Sequence, residues 1–139
     1  SLRDANGLAG AAWDTGIAGA GADTTAVPVF DLAADAWSLQ YAPEEITSLG
    51  ARIIRIADDG RNGFSQDPGG GAGAGETPYR RLLTLDPICS DGKQETVRVN
   101  TANCGADTRV GYRVQSRVEW SDRGATHHVD LETMLYDWR

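Results

Sequence analysis

The chain has 139 residues, 40% hydrophobic and 24% charged, enough for one domain that buries about two-thirds of its unfolded surface. Its 20 acidic residues outnumber 13 basic ones for a net charge of −7, which argues against a polyanion-binding surface and so against nucleic acid as a partner. No apolar run reaches the roughly 18–20 residues that span a bilayer, and SLRDANGLAGAAWD has neither the basic nor the apolar region of a secretory signal, so a mature or trimmed form is expected.

The first fifty residues are Gly/Ala-rich and weakly patterned. GLAGAAWDTGIAGAGADTTAVPVF has too many glycines for a good helix and too few branched residues for a good strand, although Trp13 and Ile17 could tuck a loop onto a core. DLAADAWSLQYAPEEI predicts one short helix over residues 31–41, with Asp31 as N-cap, Leu32, Ala36 and Leu39 on one face, and Pro43 as a stop. From residue 51 the period changes to two. ARIIRIADDG reads as a strand ending in a turn, and SQDPGGGAGAGETP reads as a flexible loop over residues 65–78. YRRLLTLDPIC and QETVRVNTA read as further strands. GYRVQSRVEW alternates with Tyr112, Val114, Ser116, Val118 and Trp120 on one face, SDRGA turns the chain, and THHVDLETMLYDW returns. The expected fold is α+β, a single domain over 1–139. A loop- and helix-rich portion (1–50) would precede a mainly antiparallel sheet (51–139).

Candidate chemistry is sparse. Cys89 and Cys104 bracket CSDGKQETVRVNTANC, and bridging them would stabilise by about 3 kcal/mol through loop closure. Two buried thiols are the alternative, and a reactive thiol would need a base that the neighbourhood lacks; a disulfide would place the protein outside the cytoplasm. The adjacent histidines of a strand point to opposite faces, so His127 and His128 do not chelate one ion together, while a His128–Asp130–Glu132 ladder could hold a divalent ion weakly. IADDGRNGFSQD partly matches a calcium loop through Asp58, Gly60, Asn62 and Gly63, and could offer backbone carbonyls together with Asp58, Asp59, Asn62 and Asp67. A glycine stands at its third position and no glutamate at its twelfth, so a polar turn is the plainer reading; calcium is the one cofactor considered. There is no G-x-S-x-G and no GK[ST] after GGGAGAG, and the carboxylates are plentiful but scattered with no acid/base pair to pick out, so an enzyme reading has nothing specific to stand on.

The final hairpin resembles minor pilins of type IV pili, and the related pseudopilins of type II secretion. A V-x-W strand, an [ST]-D-R-G turn and an alternating V-x-L-x-T-x-L strand carry the likeness, through Val118, Trp120, Ser121, Asp122, Arg123, Gly124, Val129, Leu131, Thr133 and Leu135. The resemblance covers about thirty residues, and the apolar helix that opens such proteins is absent. It implies a pilin-like globular domain, either trimmed or the globular half of a split pilin whose helix is a separate short chain. It further implies an extracellular or cell-surface subunit, periplasmic during assembly and touching a membrane only through that helix. The face of Val114, Val118, Trp120, Val129, Leu131 and Leu135 would then pack against the helix. Filament subunits would be the partners, and loops 65–78 and 89–104 the display surfaces. A secreted β-rich module that recognises glycan or protein is the alternative.

Overall fold

The structure is a computed structural model, and it describes residues 13–17, 23–31, 34–41, 45–56, 63–66 and 76–137. Eight strands occur among these residues: β1 (Thr25–Asp31), β2 (Ala36–Gln40), β3 (Arg52–Ile56), β4 (Gly63–Gln66), β5 (Glu76–Ser90), β6 (Glu95–Val97), β7 (Thr108–Asp122) and β8 (Ala125–Tyr136). The one helical segment described is a 3-10 turn, Leu49–Ala51. Every strand pairing is antiparallel.

β5 is the spine. Along one edge it pairs with β7 from Arg80↔Glu119 to Ser90↔Thr108. Along the other it meets β3, β1 and β6 in succession. Pro87 is tolerated inside this strand because it falls between the last pair with β1 and the first with β6. There the Leu85 N–H donates to the Thr24 carbonyl at 2.7 Å, the Pro87 carbonyl accepts from the Arg98 N–H at 2.9 Å, and no ladder donor is missed. β7 continues into β8 through Arg123 and Gly124, both at positive φ (48° and 82°), the two-residue turn whose twist suits a hairpin.

The helix expected over 31–41 does not form, and the α+β, pilin-like expectation is corrected to a nearly all-β, sandwich-like sheet. β1 leaves β5 after Ala26 and pairs with β2 in the register Val27↔Gln40 to Asp31↔Ala36, with Asp35 at φ +50° just before β2. Two physical facts favour the hairpin. A helix of about ten residues is marginal without tertiary support, whereas Val27, Val29 and Phe30 are strand formers that bring a partner for residues 36–40. Trp37 then packs on Phe30 with ring centroids 5.1 Å apart. The loop expected over 65–78 is shorter at both ends, since β4 includes Gln66 and β5 begins at Glu76; residues 67–75 lie outside the described residues. The strand expected in QETVRVNTA is limited to β6.

Ile17, Ala26, Leu85 and Tyr112 form the buried core, with Trp13, Leu39, Tyr41, Leu83 and Val114 against it. The cover over this end of the sheet thus comes from the 13–17 turn and the β1–β2 arm. A second anchor lies near the start of β5. The Gln66 side-chain amide, buried, donates to the carbonyls of Ala51 (2.8 Å) and Arg81 (2.7 Å), while Arg81 Nε donates to Gln66 Oε1 at 2.9 Å. Three elements are pinned by one satisfied polar side chain.

Candidate functional site: the β7–β8 face

Cross-strand register assigns the two faces of the β5–β7–β8 sheet. One face stacks the rows Tyr79–Trp120–His127, Arg81–Val118–Val129, Leu83–Ser116–Leu131, Leu85–Val114–Thr133 and Pro87–Tyr112–Leu135. All six residues expected to form an apolar packing face therefore share it. The structure divides them, however. Val114 is taken into the core, and Leu135 lines a nearly wholly apolar groove of about 270 Å³ with Ile17, Trp37, Leu39, Leu83 and Leu85. Val118 and Trp120 are half-buried, while Val129 and Leu131 stand 48% and 68% exposed. Among the described residues the cover ends partway up the sheet and leaves the hairpin end bare.

An aromatic row crosses that bare end. Tyr79 and Trp120 lie 5.9 Å apart centroid to centroid and tilted, and Trp120 stacks on His127 at 5.7 Å. His127 is thus engaged as a ring surface beside an apolar strip. Tyr79 was missed by sequence reading because its place beside Trp120 depends on the long-range β5–β7 register, which only a YRR–VEW pairing guess would have supplied.

The opposite face is polar and carries cross-strand pairs, although Asp86 Oδ1 and Arg113 Nε are buried without a hydrogen-bond partner. Arg117 reaches Asp130 through Nε (2.9 Å) and Nη2 (3.2 Å), Gln115 donates to Glu132 at 2.9 Å, and Arg113 meets the buried Asp86 at 2.6 Å. The hydrogen bond from Arg117 holds the Asp130 carboxyl below the ordinary carboxylate range. His128 Nε2 lies 3.6 Å from Asp130, so the His128–Asp130–Glu132 ladder exists as a row, but its carboxylates are occupied by β7 side chains. No group that could hold a metal ion occurs among the described residues. The calcium-loop candidates Asp58, Asp59, Asn62 and Asp67 lie outside the described residues. A groove of about 650 Å³ above this face has Glu45 in its wall, and Glu45 accepts from Thr47 at 3.2 Å.

A tighter polar cluster sits under the 13–17 turn. The buried Asp14 meets Arg109 Nε at 2.9 Å and accepts from the Tyr112 hydroxyl at 3.4 Å, the Arg109 guanidinium lies 5.3 Å from the Tyr112 ring centre, and the Tyr41 hydroxyl donates to the Ile17 carbonyl. Burial pushes the Tyr41 phenol up to about 12, and Tyr112 moves in the same direction. Charge and packing hold these groups together inside the fold, with Arg109 Nε buried and left without an aligned hydrogen-bond acceptor, and the cluster serves as a structural clamp. Cys89 and Cys104 are joined in a disulfide with Cα atoms 5.5 Å apart, tying the end of β5 to the loop before β7. No helix among the described residues is long and apolar enough to cross a membrane.

No family model matches the chain, and no curated protein or solved structure is significantly similar to it.

Proposed function

We propose that this chain is a structural subunit of an extracellular filament, working by packing against its neighbours and by displaying loops at the filament surface. The observation that carries the reading is the bare end of the β7–β8 face. There, Val118, Trp120, Val129 and Leu131 make a contiguous apolar strip beyond the reach of the β1–β2 arm. Such a strip marks an interaction surface. An apolar helix of another subunit laid on it gains about 25 cal/mol for each Å² of apolar surface removed from water. The Cys89–Cys104 bridge supports an oxidising compartment, and the likeness of the final hairpin to minor pilins supports the filament class. The loop bridged by the disulfide lies at the end of the β5–β7 ladder opposite the hairpin turn and offers a surface for display.

The test is the composition of filaments sheared from the source cells. The chain is expected in the sheared fraction, and Leu131→Glu is expected to remove it from that fraction while its level in whole cells stays the same. Leu131→Glu incorporated at the parental level would overturn the proposal. A second reading, a secreted module that binds glycan or protein, has the Tyr79–Trp120–His127 row in its favour, because aromatic faces are how such modules grip sugars. Retention on a glycan surface that Trp120→Ala abolishes and Leu131→Glu spares would favour that reading.

A further inference from the structure

β8 is paired along one edge only, to β7, and among the described residues no strand pairs with its other edge. Hairpin geometry decides which backbone groups face that open edge. The turn at Arg123–Gly124 closes on Asp122↔Ala125, a pair that exchanges both hydrogen bonds, and the pattern alternates from there. The Asp137 N–H donating to the Val110 carbonyl at 3.0 Å keeps the same phase at the far end. So Ala125, His127, Val129, Leu131 and Thr133 turn their amides and carbonyls toward β7. Thr126, His128, Asp130, Glu132 and Met134 turn theirs outward. The register runs from 125 to 136 without a bulge, the strand contains no proline or lysine, and it is exposed along nearly its whole length. An edge this long without such protection is a template for another strand.

We propose that the open edge of β8 pairs with the same edge of a second copy of this chain, antiparallel about a two-fold axis at Val129. Only the outward residues can exchange hydrogen bonds, so the permitted registers set even-numbered residues against even-numbered ones. Charge then selects among them. An axis at Asp130 opposes the two Asp130 carboxylates, and an axis at Leu131 opposes Asp130 with Glu132 twice; like charges directly opposite are destabilising. An axis at His128 opposes the two imidazoles and shortens the ladder to residues 125–131. The axis at Val129 keeps residues 125–133 paired and places His128 opposite Asp130 of the other copy on both sides of the axis. It also brings the Thr126 hydroxyl opposite Glu132. Asp130 retains acceptor capacity beyond its bonds to Arg117, and either imidazole tautomer can supply a donor. On the apolar face Val129 meets Val129, and Leu131 lies against His127. A two-fold pair is closed and does not propagate, so it describes the free chain and its failure leaves the filament reading untouched.

The experiment uses the purified chain. Sedimentation is expected to show a reversible dimer, and His128→Glu, which turns two symmetric contacts repulsive, is expected to weaken it about tenfold. Register is read by single cysteines, since both native cysteines are already bridged. At Val129 the two Cα atoms of a non-hydrogen-bonded pair are about 4.5 Å apart, within disulfide range. Val129→Cys is therefore expected to oxidise to a covalent dimer, and Leu131→Cys, opposite His127, to stay largely monomeric. A chain that remains monomeric up to about 1 mM, or Leu131→Cys linking as fast as Val129→Cys, would overturn the proposal.

Discussion

Tyr41 is the residue whose chemistry reports most directly on the core. Burial is the main cause that raises its phenol to about 12, and its hydroxyl donates to the Ile17 carbonyl, so the folded state favours the neutral form. Because the folded value lies above the unfolded value near 10, the stability this group contributes is complete below pH ~10 and is lost as pH rises through about 12. An alkaline titration followed by tyrosinate absorbance is therefore expected to show a delayed fraction that appears together with unfolding, and Tyr41→Phe should shrink it. A single step with no delayed fraction would show that the phenol is not held in this way. Gly111 is a steric counterpart. A Cβ there would press on the Leu135 carbonyl oxygen and come within 3.1 Å of the Tyr136 ring and 3.3 Å of Ile88 Cδ1. A backbone oxygen cannot swing aside, so Gly111→Ala must lift the end of β8, at a cost of about 1–3 kcal/mol. Chemical denaturation measures it, and a loss under about 0.5 kcal/mol would mean that β8 is not held tightly at that end.

The elements differ in how far local sequence determines them. β7 and β8 were legible because each strand has one apolar and one polar face and the D-R-G turn carries its own signature. The arm made by β1 and β2 was not legible. Its residues follow a helical spacing about as well as an alternating one, and only pairing with each other and with β5 decides between the two. The same non-locality limited the candidate site. Alternation identified the face of Val118, Trp120, Val129 and Leu131, but which half stays bare is decided by Trp13, Ile17 and Leu39, far away in the chain. The disulfide is a further element-level bond with a testable share of the stability. It closes a loop of sequence separation 15, for which chain entropy gives about 3 kcal/mol. Replacing both cysteines by serine is expected to lower the unfolding free energy by about 2–4 kcal/mol while leaving the β7–β8 hairpin formed. Amide exchange that speeds up across β7 and β8 as much as across residues 98–107 would show that the bridge supports the whole sheet and not only its β5–β6 end.

At the scale of the molecule, charge and the exposed strand edge act in opposite directions. Each copy carries −7, so two copies approaching edge to edge repel before any hydrogen bond forms. The contacts that favour the pair are short-ranged, being backbone bonds and His128 against Asp130, whereas the repulsion is spread over the surface. Salt therefore weakens mainly the opposing term. Its screening length falls from about 30 Å at 0.01 M to about 8 Å at 0.15 M, shorter than the width of the domain but longer than a hydrogen bond. Self-association of the purified chain is thus expected to tighten over that range. A filament contact between this acidic subunit and a basic neighbour should respond in the opposite sense, because there the long-range term is attractive. Sedimentation at two salt concentrations, set beside the salt sensitivity of sheared filaments, separates the two contacts. Salt that loosens the dimer as well would mean that its edge contacts are dominated by surface ion pairs, and the backbone ladder along β8 would then not be what holds the copies together.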